Sequence, residues 1–388
     1  MSQYLTPHLR HTTQLPVELW EKIIDVLADE GYSAVRLQEL GLVCRAWHAR
    51  CRFRANQVIR LHKMNKTLVY RLIGTLNEDH GRRRLSVVRT VDFSSGKIDT
   101  FGSFVVRMAR ALPRVETLRL QQCKWVPGQL HSQVFMHINA AFESVTTLDL
   151  YVVTFPSPVA LGRLVRALPR LSALSFYAVK VEKRDVVPGT VQVPSTLRLE
   201  TVHLFDSCDV VDFLVTATIS ACIKHLTFRD YDRIACPRVL TTVGASLSSL
   251  TIQPGSSLNG SNDFLDLTSA TNLRALSVTA NLRDLRWLAS ALSHVTLSKL
   301  AYIEVVSTSF RCEEKYVQGM FDGIDNDAYM RIDRALSGRQ HRAFQRMEFH
   351  LRCRVESRSN VVNVVSECAW HACISSKLPT LHASGRLQ

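Results

Sequence analysis

The sequence lacks the features that direct a protein into or across a membrane. Its first 13 residues contain no apolar core of the kind that signal peptides carry, and its longest uncharged run, 239–262, is rich in Ser, Gly and Thr and contains Pro254. Its ten cysteines are scattered, and most lie in apolar segments, as Cys44, Cys123 and Cys222 do. Scattered thiols of this kind are typical of a reducing compartment. We therefore expect no transmembrane segment and a cytoplasmic or nuclear location.

Motifs that would support catalysis are also missing. Neither GxGxxG nor HExxH occurs, and SSGKI is not a phosphate-binding loop, because no glycine stands five positions before Gly96 and Ile98 replaces Ser or Thr. CAWHAC, residues 368–373, has ligand-like spacing but no second pair nearby to complete a zinc site, so we interpret it as part of a short C-terminal helix. Because the 14 histidines are dispersed, we expect no enzymatic activity, metal or cofactor.

The formal charge of +14 is concentrated in two segments. Residues 51–90 carry ten Lys or Arg against two acids, net +8, and residues 328–358 carry eight Arg against three acids, net +5. An acidic stretch, 313–327, lies between them. A nucleic-acid-binding surface is expected to interleave basic residues with exposed aromatics or glycines, and this pattern does not. We interpret the basic segments as solvated faces and keep nucleic-acid binding as an alternative.

What the sequence does contain is a repeat. A six-residue phrase with apolar first, fourth and sixth positions occurs ten times, and eight of the nine gaps between its starts are 24 to 30 residues long. The phrases begin at Val88, Val115, Val145, Leu171, Leu199, Ile223, Leu247, Leu273, Leu300 and Phe344. Each phrase ends in the alternation of a strand with one buried face, and helical patterns lie between phrases. The sequence therefore predicts an α/β solenoid of stacked parallel strands and outer helices.

These phrases resemble the leucine-rich-repeat family, whose strands read LxxLxL. The resemblance covers roughly residues 88–350 and implies parallel strands on a concave face and helices on the convex face. The Asn or Cys that follows the family's strands appears only as Cys123 and, shifted by one position, as Cys208. We therefore expect an irregular solenoid, with an insertion in the 44-residue gap before Phe344.

The N-terminal part of the chain carries a pattern different from the repeat phrase. Its segment LPVELWEKIIDVLADEGYSAVRLQELGLVCRAWHARCRF resembles an F-box, a three-helix module with the pattern LPxELxxxIxxxL followed, after a loop, by LxxxxxVCRxW. The matching positions are Leu15, Pro16, Glu18, Leu19, Ile23, Leu27, Leu37, Val43, Cys44, Arg45 and Trp47. The loop between the two parts is several residues longer than in the tightest members of the family, which leaves the position of the second helix open.

So short a module cannot bury all of its apolar side chains within itself, so part of that surface must face a partner. The resemblance implies that the partner is a Skp-family adaptor, which joins the F-box to a cullin scaffold. It also implies which residues support adaptor binding: Leu15, Pro16, Ile23, Leu27, Val43 and Trp47. The alternative is an ordinary helical cap that shields the first repeat, since solenoids need one.

A candidate target site follows from the strand phrases. Residues that follow the fourth and sixth positions should face the concave side, because side chains alternate along a strand. Tyr151, Tyr177 and Phe205 have the same register in consecutive repeats, and Arg229 continues the row, so we expect them about 5 Å apart across neighbouring strands. Aromatic residues and Arg are favoured in binding hot spots. The alternative is that Phe205 turns inward or that a loop covers the row.

These observations divide the chain into five parts: a disordered N-terminus (1–13), an F-box (14–60), a basic linker or first helical repeat (61–87), a leucine-rich-repeat solenoid (88–360) and a C-terminal tail (361–388). An F-box joined to such repeats implies the substrate-recognition subunit of an SCF-type cullin-RING E3 ubiquitin ligase with an unknown protein target. The alternatives are an interaction scaffold that binds the adaptor without directing ubiquitination, and a nucleic-acid-associated solenoid.

Overall fold

A computed structural model describes most of the chain. The described residues are 15–29, 34–96, 98–126, 128, 133–182, 197–216, 221–230, 235–254, 265–283, 285–309, 319, 323–353 and 365–388. The N-terminal segment 1–13, which the sequence predicts to be disordered, lies outside them.

The described part of the chain is dominated by one parallel sheet of eleven strands. The strands of this sheet are β1 (Val58–His62), β2 (Thr90–Ser94), β3 (Thr117–Gln121), β4 (Thr147–Tyr151), β6 (Ala173–Tyr177), β8 (Thr201–Phe205), β9 (His225–Asp230), β10 (Ser249–Pro254), β11 (Ala275–Thr279), β12 (Tyr302–Ser309) and β13 (Arg346–Cys353). Two short strands, β5 (Thr154–Phe155) and β7 (Lys180–Val181), pair separately. Each strand of the large sheet pairs with the next one in chain order, which is the topology of a solenoid.

Helices connect most of these strands. They are α1 (Val17–Asp29), α2 (Ala34–Leu40), α3 (Arg45–Asn56), α4 (Lys66–Asn77), α5 (Asp79–Leu85), α6 (Ile98–Met108), α7 (Val134–Ala141), α8 (Pro158–Arg166), α9 (Val211–Thr216), α10 (Ala235–Val243), α11 (Arg286–His294), α12 (Asn326–Ser337), α13 (Glu367–Lys377) and α14 (Pro379–Ala383). The alternation of strands and helices is the architecture of a leucine-rich-repeat solenoid, as the phrase spacing predicts.

The apolar positions of the phrases form the core. In all ten phrases the first, fourth and sixth residues are buried, and they belong to one continuous cluster with the inner faces of the helices. The alternate strand residues, such as Thr117, Arg119 and Gln121 of β3, face the other side of the sheet and keep solvent contact. We call that side the open face.

The sheet begins earlier than residue 88, because β1 pairs with β2 in register. Ile59 and Leu61 are buried like the fourth and sixth residues of a phrase, but the first position is held by Asn56 and the phrase pattern fails there. The segment assigned to a linker or first helical repeat, 61–87, therefore lies inside the solenoid and contains α4 and α5.

The chain leaves five of the first six strands of the large sheet, all except β2, through a tight turn. Lys63, Gln122, Val152, Ala178 and Asp206 each follow a strand directly and have positive φ angles of 49° to 53°. The amides of the first four continue the ladder across the repeats, as in the 2.7 Å bond from the Val152 amide to the Tyr177 carbonyl. This left-handed conformation is unusual for residues other than Gly, so the hydrogen bonds of the repeat hold it in place.

The turn after β8 also corrects the position that the sequence analysis assigned to Cys208. Cys123, two residues after β3, is buried and donates to the Gln121 carbonyl at 3.0 Å, and burial raises its pKa to about 11, so it stays protonated. The equivalent residue after β8 is Ser207, not the exposed Cys208. Ser207 Oγ donates to the Phe205 carbonyl at 2.8 Å and accepts from the Val179 amide at 2.9 Å.

We expect Ser207→Ala to lower the free energy of unfolding by about 1–3 kcal/mol, because it leaves the buried Val179 amide without its partner. The Phe205 carbonyl still accepts from the Ala178 amide. Urea titration would measure the loss. Ser207→Cys should recover most of it, since a thiol fills this position after β3. Ser86→Ala, at an exposed hydroxyl that bonds the Arg83 carbonyl, should change stability by less than about 0.5 kcal/mol. Equal losses at both serines would contradict the role given to Ser207.

The C-terminal segment is packed rather than a free tail. Helix α13 includes the CAWHAC motif, as predicted, and the buried carboxylate of Asp333 accepts from the amides of Thr380 and Leu381 at the start of α14. Leu387 then forms a parallel bridge with Met347 of β13. Residues 365–388 therefore cover part of the last edge of the sheet.

The basic segment 51–90 is only partly solvated. Arg83 is exposed, whereas Arg84 is half-buried and its Nη2 atom donates to the Val58 carbonyl of the edge strand at 3.3 Å. Burial lowers the pKa of Arg84. One of the charges interpreted as part of a solvated face therefore contacts the first strand of the sheet.

Candidate protein-interaction surfaces

The three N-terminal helices form a small cluster with its own core. Ile24, Leu37 and Cys51 are buried in it, and Ala28, Leu40 and Trp47 pack against them. Ion pairs join α1 to α3, since Arg50 Nε donates to Asp25 Oδ1 at 2.9 Å and Arg54 contacts both Asp25 and Asp29. The hydrogen bond from Arg50 lowers the pKa of Asp25. One side of α1 is therefore fixed against α3.

The opposite side of α1 stays exposed together with the turn between α2 and α3. Leu15 is 39% exposed, Ile23 40%, Val43 63% and Leu42 82%. Leu19 and Val26 are also exposed. We call these six side chains, Leu15, Leu19, Ile23, Val26, Leu42 and Val43, the head patch.

The predicted adaptor-binding residues thus fall into two groups. Leu15, Pro16, Ile23 and Val43 are exposed, whereas Leu27 and Trp47 are half-buried. The Trp47 ring packs against Trp20 at an interplanar angle of 53° with ring centroids 4.7 Å apart, a contact that holds α3 to α1. The sequence pattern gave no role to Trp20, and only its apolar size next to Leu19 could have drawn attention to it.

The four residues predicted for the target site form one row on the open face. The sheet register pairs Tyr151 with Tyr177, Tyr177 with Phe205 and Phe205 with Arg229. The ring centroids of Tyr151 and Tyr177 are 4.5 Å apart and those of Tyr177 and Phe205 are 6.1 Å apart, and the Arg229 guanidinium lies 5.9 Å from the Phe205 ring. Tyr151 is 42% exposed, and the other three are half-buried. We call these four residues the aromatic row.

A second row lies two residues back on the same strands and begins with alternating charges. Arg60, Asp92, Arg119 and Asp149 are paired across β1 to β4, and Arg119 Nε donates to Asp149 Oδ2 at 3.1 Å. Burial raises the pKa of Asp92, and this effect outweighs the nearby Arg119 and Arg60. The buried Oδ1 atom of Asp92 receives no hydrogen bond from the described residues.

Asp92→Asn is therefore expected to stabilise the protein at pH 7. The folded state holds the Asp92 proton more tightly than the unfolded state does, because the pKa of Asp92 is raised by folding. Ionisation of Asp92 therefore destabilises the folded protein fully at pH values above the raised pKa. Below the unfolded pKa of about 3.9 the carboxyl is protonated in both states, and this cost is absent. The gain in the urea midpoint should disappear near pH 3. Asp25→Asn should show the opposite sign, a loss at pH 7 that shrinks as pH falls, because the pKa of Asp25 is lowered. A destabilised Asp92→Asn variant at pH 7 would contradict this account.

The last strands carry a polar cluster that the sequence analysis missed. Tyr302 Oη donates to Glu348 Oε2 at 2.7 Å, Ser277 Oγ donates to Glu304 Oε2 at 2.6 Å, and His350 Nε2 lies 3.1 Å from Glu348. The predicted target site ended at Arg229 of β9, so this acidic end of the open face was not predicted.

The described ranges show no group of three His, Cys, Asp or Glu side chains that could hold a metal ion. Within the same ranges, no helix combines the length and apolarity needed to cross a bilayer. The surfaces that distinguish this molecule are the head patch and the aromatic row.

Comparison with known proteins gives only distant similarities. No protein-family model matches the chain, and no curated protein matches it. Among solved structures, the leucine-rich repeat-containing protein LegL7 from Legionella pneumophila is 13% identical with a TM-score of 0.43, over 65% of this chain and 83% of that one. A chain of the yeast Rad7 and Elc1 complex is 12% identical with a TM-score of 0.28, over 89% of this chain and 91% of that one. At these values neither similarity assigns a family or a function to this chain.

Proposed function

We propose that this chain is the substrate receptor of an SCF-type cullin-RING ubiquitin ligase. Its head binds a Skp-family adaptor, and the open face of its solenoid binds a target protein. The observation that carries the proposal is the position of the head patch, because apolar residues that match the F-box pattern are exposed although the helices have a closed core of their own.

The head patch has the character of a docking surface. Leu19, Ile23 and Val26 recur at helical spacing on one face of α1, and several exposed apolar side chains on one face mark an interaction site more often than a single one does. Each side chain that an adaptor buries would contribute on the order of 1.5–3 kcal/mol before the costs of association. Leu27 and Trp47 support this surface from behind, since both are half-buried and Trp47 packs against the head core.

The solenoid has a separate task in this proposal. Its open face carries the aromatic row, and aromatic residues with Arg are the residue types that hot spots favour. The chain performs no covalent chemistry. It raises the effective concentration of a target lysine near a ubiquitin-charged enzyme that is bound elsewhere on the scaffold.

The proposal is tested by affinity capture with the full chain and with a chain that lacks residues 1–55. This deletion removes the head but leaves β1, which begins at Val58. We expect the deletion to lose the adaptor and the cullin, to retain proteins bound by the solenoid, and to slow the turnover of those proteins in cells. Retention of the adaptor by the truncated chain would overturn the proposal. Loss of the adaptor with unchanged turnover would favour the scaffold alternative.

A further inference from the structure

Among the residues that the structure describes, the middle of the open face carries one charged side chain without an ion-pair partner. From β4 to β11, the Asp, Glu, Lys and Arg side chains that the described strands place on this face are Asp149 and Arg229. Asp149 is paired with Arg119 at 3.1 Å. Among the described residues, no carboxylate lies within ion-pair distance of the Arg229 guanidinium.

Arg229 is positioned before any partner arrives. Its guanidinium lies 5.9 Å from the centroid of the Phe205 ring, and the side chain is half-buried. A cation held over an aromatic ring loses less conformational entropy when it binds an anion than a free surface Arg does. It also keeps its planar set of donors, which matches the geometry of carboxylates and phosphates.

The aromatic row next to Arg229 offers an apolar contact at a fixed distance. The Tyr151 and Tyr177 rings are stacked at an interplanar angle of 16°, whereas the Phe205 ring is tilted by 40° against Tyr177. Adjacent strands are about 4.8 Å apart, which places Tyr177 two strands, or about 10 Å, from Arg229. An extended peptide advances about 3.3 Å per residue, so about three residues span that distance.

The second row supplies groups for a peptide backbone. Ser175, Thr227 and Thr251 follow Asp149 along this row, with His203 between them. Burial lowers the pKa of His203, so its ring is neutral near pH 7. Neutral hydroxyls can both donate to and accept from peptide groups.

We propose that the open face binds an extended peptide segment in which an apolar side chain contacts the aromatic row and an anionic side chain, three or four residues away, pairs with Arg229. This proposal rests on one part of the proposed function, namely that the open face of the solenoid is the surface that binds the target. It adds the chemistry of the target segment. The anion is the carboxylate of an Asp or Glu side chain, and a phosphoserine peptide serves as the competing arm of the test.

The experiment selects a displayed library of randomised twelve-residue peptides on the immobilised full chain, on Arg229→Glu and on Arg274→Glu. Arg274 is an exposed arginine just before β11, so its replacement makes the same charge change away from the aromatic row. The wild-type and Arg274→Glu proteins should enrich peptides with an apolar residue and an Asp or Glu three or four positions apart. Arg229→Glu should not.

The most enriched peptide is then synthesised with its acid unchanged, replaced by the corresponding amide, and replaced by phosphoserine, and its binding is measured by fluorescence anisotropy. The amide and Arg229→Glu should each weaken binding about tenfold or more. A lysine in place of the acid should restore binding to Arg229→Glu. A phosphoserine peptide that binds more tightly than the acid would identify phosphate as the anion.

Three results would overturn the proposal: no enrichment, enrichment of peptides without an acid at this spacing, or equal binding by Arg229→Glu. The assay contains no adaptor, so such a failure leaves the adaptor function of the head untouched. Conversely, loss of the head function would not alter peptide selection.

Discussion

Replacing Leu15 and Pro16 together with alanine is expected to abolish capture of a Skp-family adaptor and to leave the solenoid folded. Both residues are exposed at the start of α1 and belong to neither buried cluster. Removing their side chains should weaken adaptor binding by about 2–4 kcal/mol, or about 30-fold to 1000-fold. That loss is enough to remove the adaptor from a pull-down.

The same variant should fold normally for a structural reason. The Pro16 carbonyl accepts from the amides of Leu19 and Trp20 at 3.0 and 3.3 Å, and alanine keeps that carbonyl. Met136→Ala, at a 64% exposed methionine on α7 of the solenoid, removes apolar surface elsewhere and should leave capture unchanged. Circular dichroism and a thermal melt would check the fold of both. Unchanged adaptor capture by the Leu15 and Pro16 variant would refute the F-box assignment.

The sequence predicts the sheet well because its signal is periodic. Each phrase places three apolar residues at fixed spacing, and a parallel in-register sheet needs that spacing in every repeat to close its core. The exception is β1, where Asn56 stands at the first position while Ile59 and Leu61 still pack inward. Two of three apolar positions are enough to add a strand to an existing sheet, but they are too few for a pattern search to recognise.

Side chains with particular local roles were harder to predict. Cys208 matched the residue type expected after a strand, yet Ser207 occupies the buried position, because the turn through Asp206 fixes which residue points inward. Arg84 was counted as one charge of a solvated segment, although it bonds the Val58 carbonyl. Residue type and net charge do not determine burial, which depends on the turn and on the neighbouring strand.

The aromatic row could be predicted because it depends on register alone. Tyr151, Tyr177 and Phe205 each follow the sixth position of a phrase, and strands paired in register place such residues side by side. The cluster around Glu304 and Glu348 obeys the same rule, because phrases begin at Leu300 and Phe344 and β12 pairs with β13 in register, but the predicted target site did not extend to these strands. Residues that a regular repeat aligns are predictable from sequence, whereas the hydrogen bonds among their side chains depend on a geometry that the repeat does not specify.

Replacing Tyr151, Tyr177 and Phe205 together with serine is expected to remove target binding while adaptor capture survives. The substitution deletes the apolar surface of the aromatic row and leaves Arg229 without the ring that positions it. It should also lower the free energy of unfolding by about 1–3 kcal/mol, because two aromatic contacts worth about 0.5–1.5 kcal/mol each are lost. The main core should remain, since the three residues lie outside its buried cluster.

A matched variant separates the rings from their hydroxyl groups. Tyr151→Phe with Tyr177→Phe keeps the stacked rings and removes both phenolic oxygens, so it should retain target binding if the rings provide the contact. The proteins captured by wild type, by this double variant and by the serine triple variant can be compared by quantitative mass spectrometry, with the adaptor as the internal reference. Loss of the adaptor in the serine variant would mean that the solenoid supports the head. Undiminished capture of the same proteins would show that the target binds elsewhere, because no apolar contact would remain on the aromatic row to hold it.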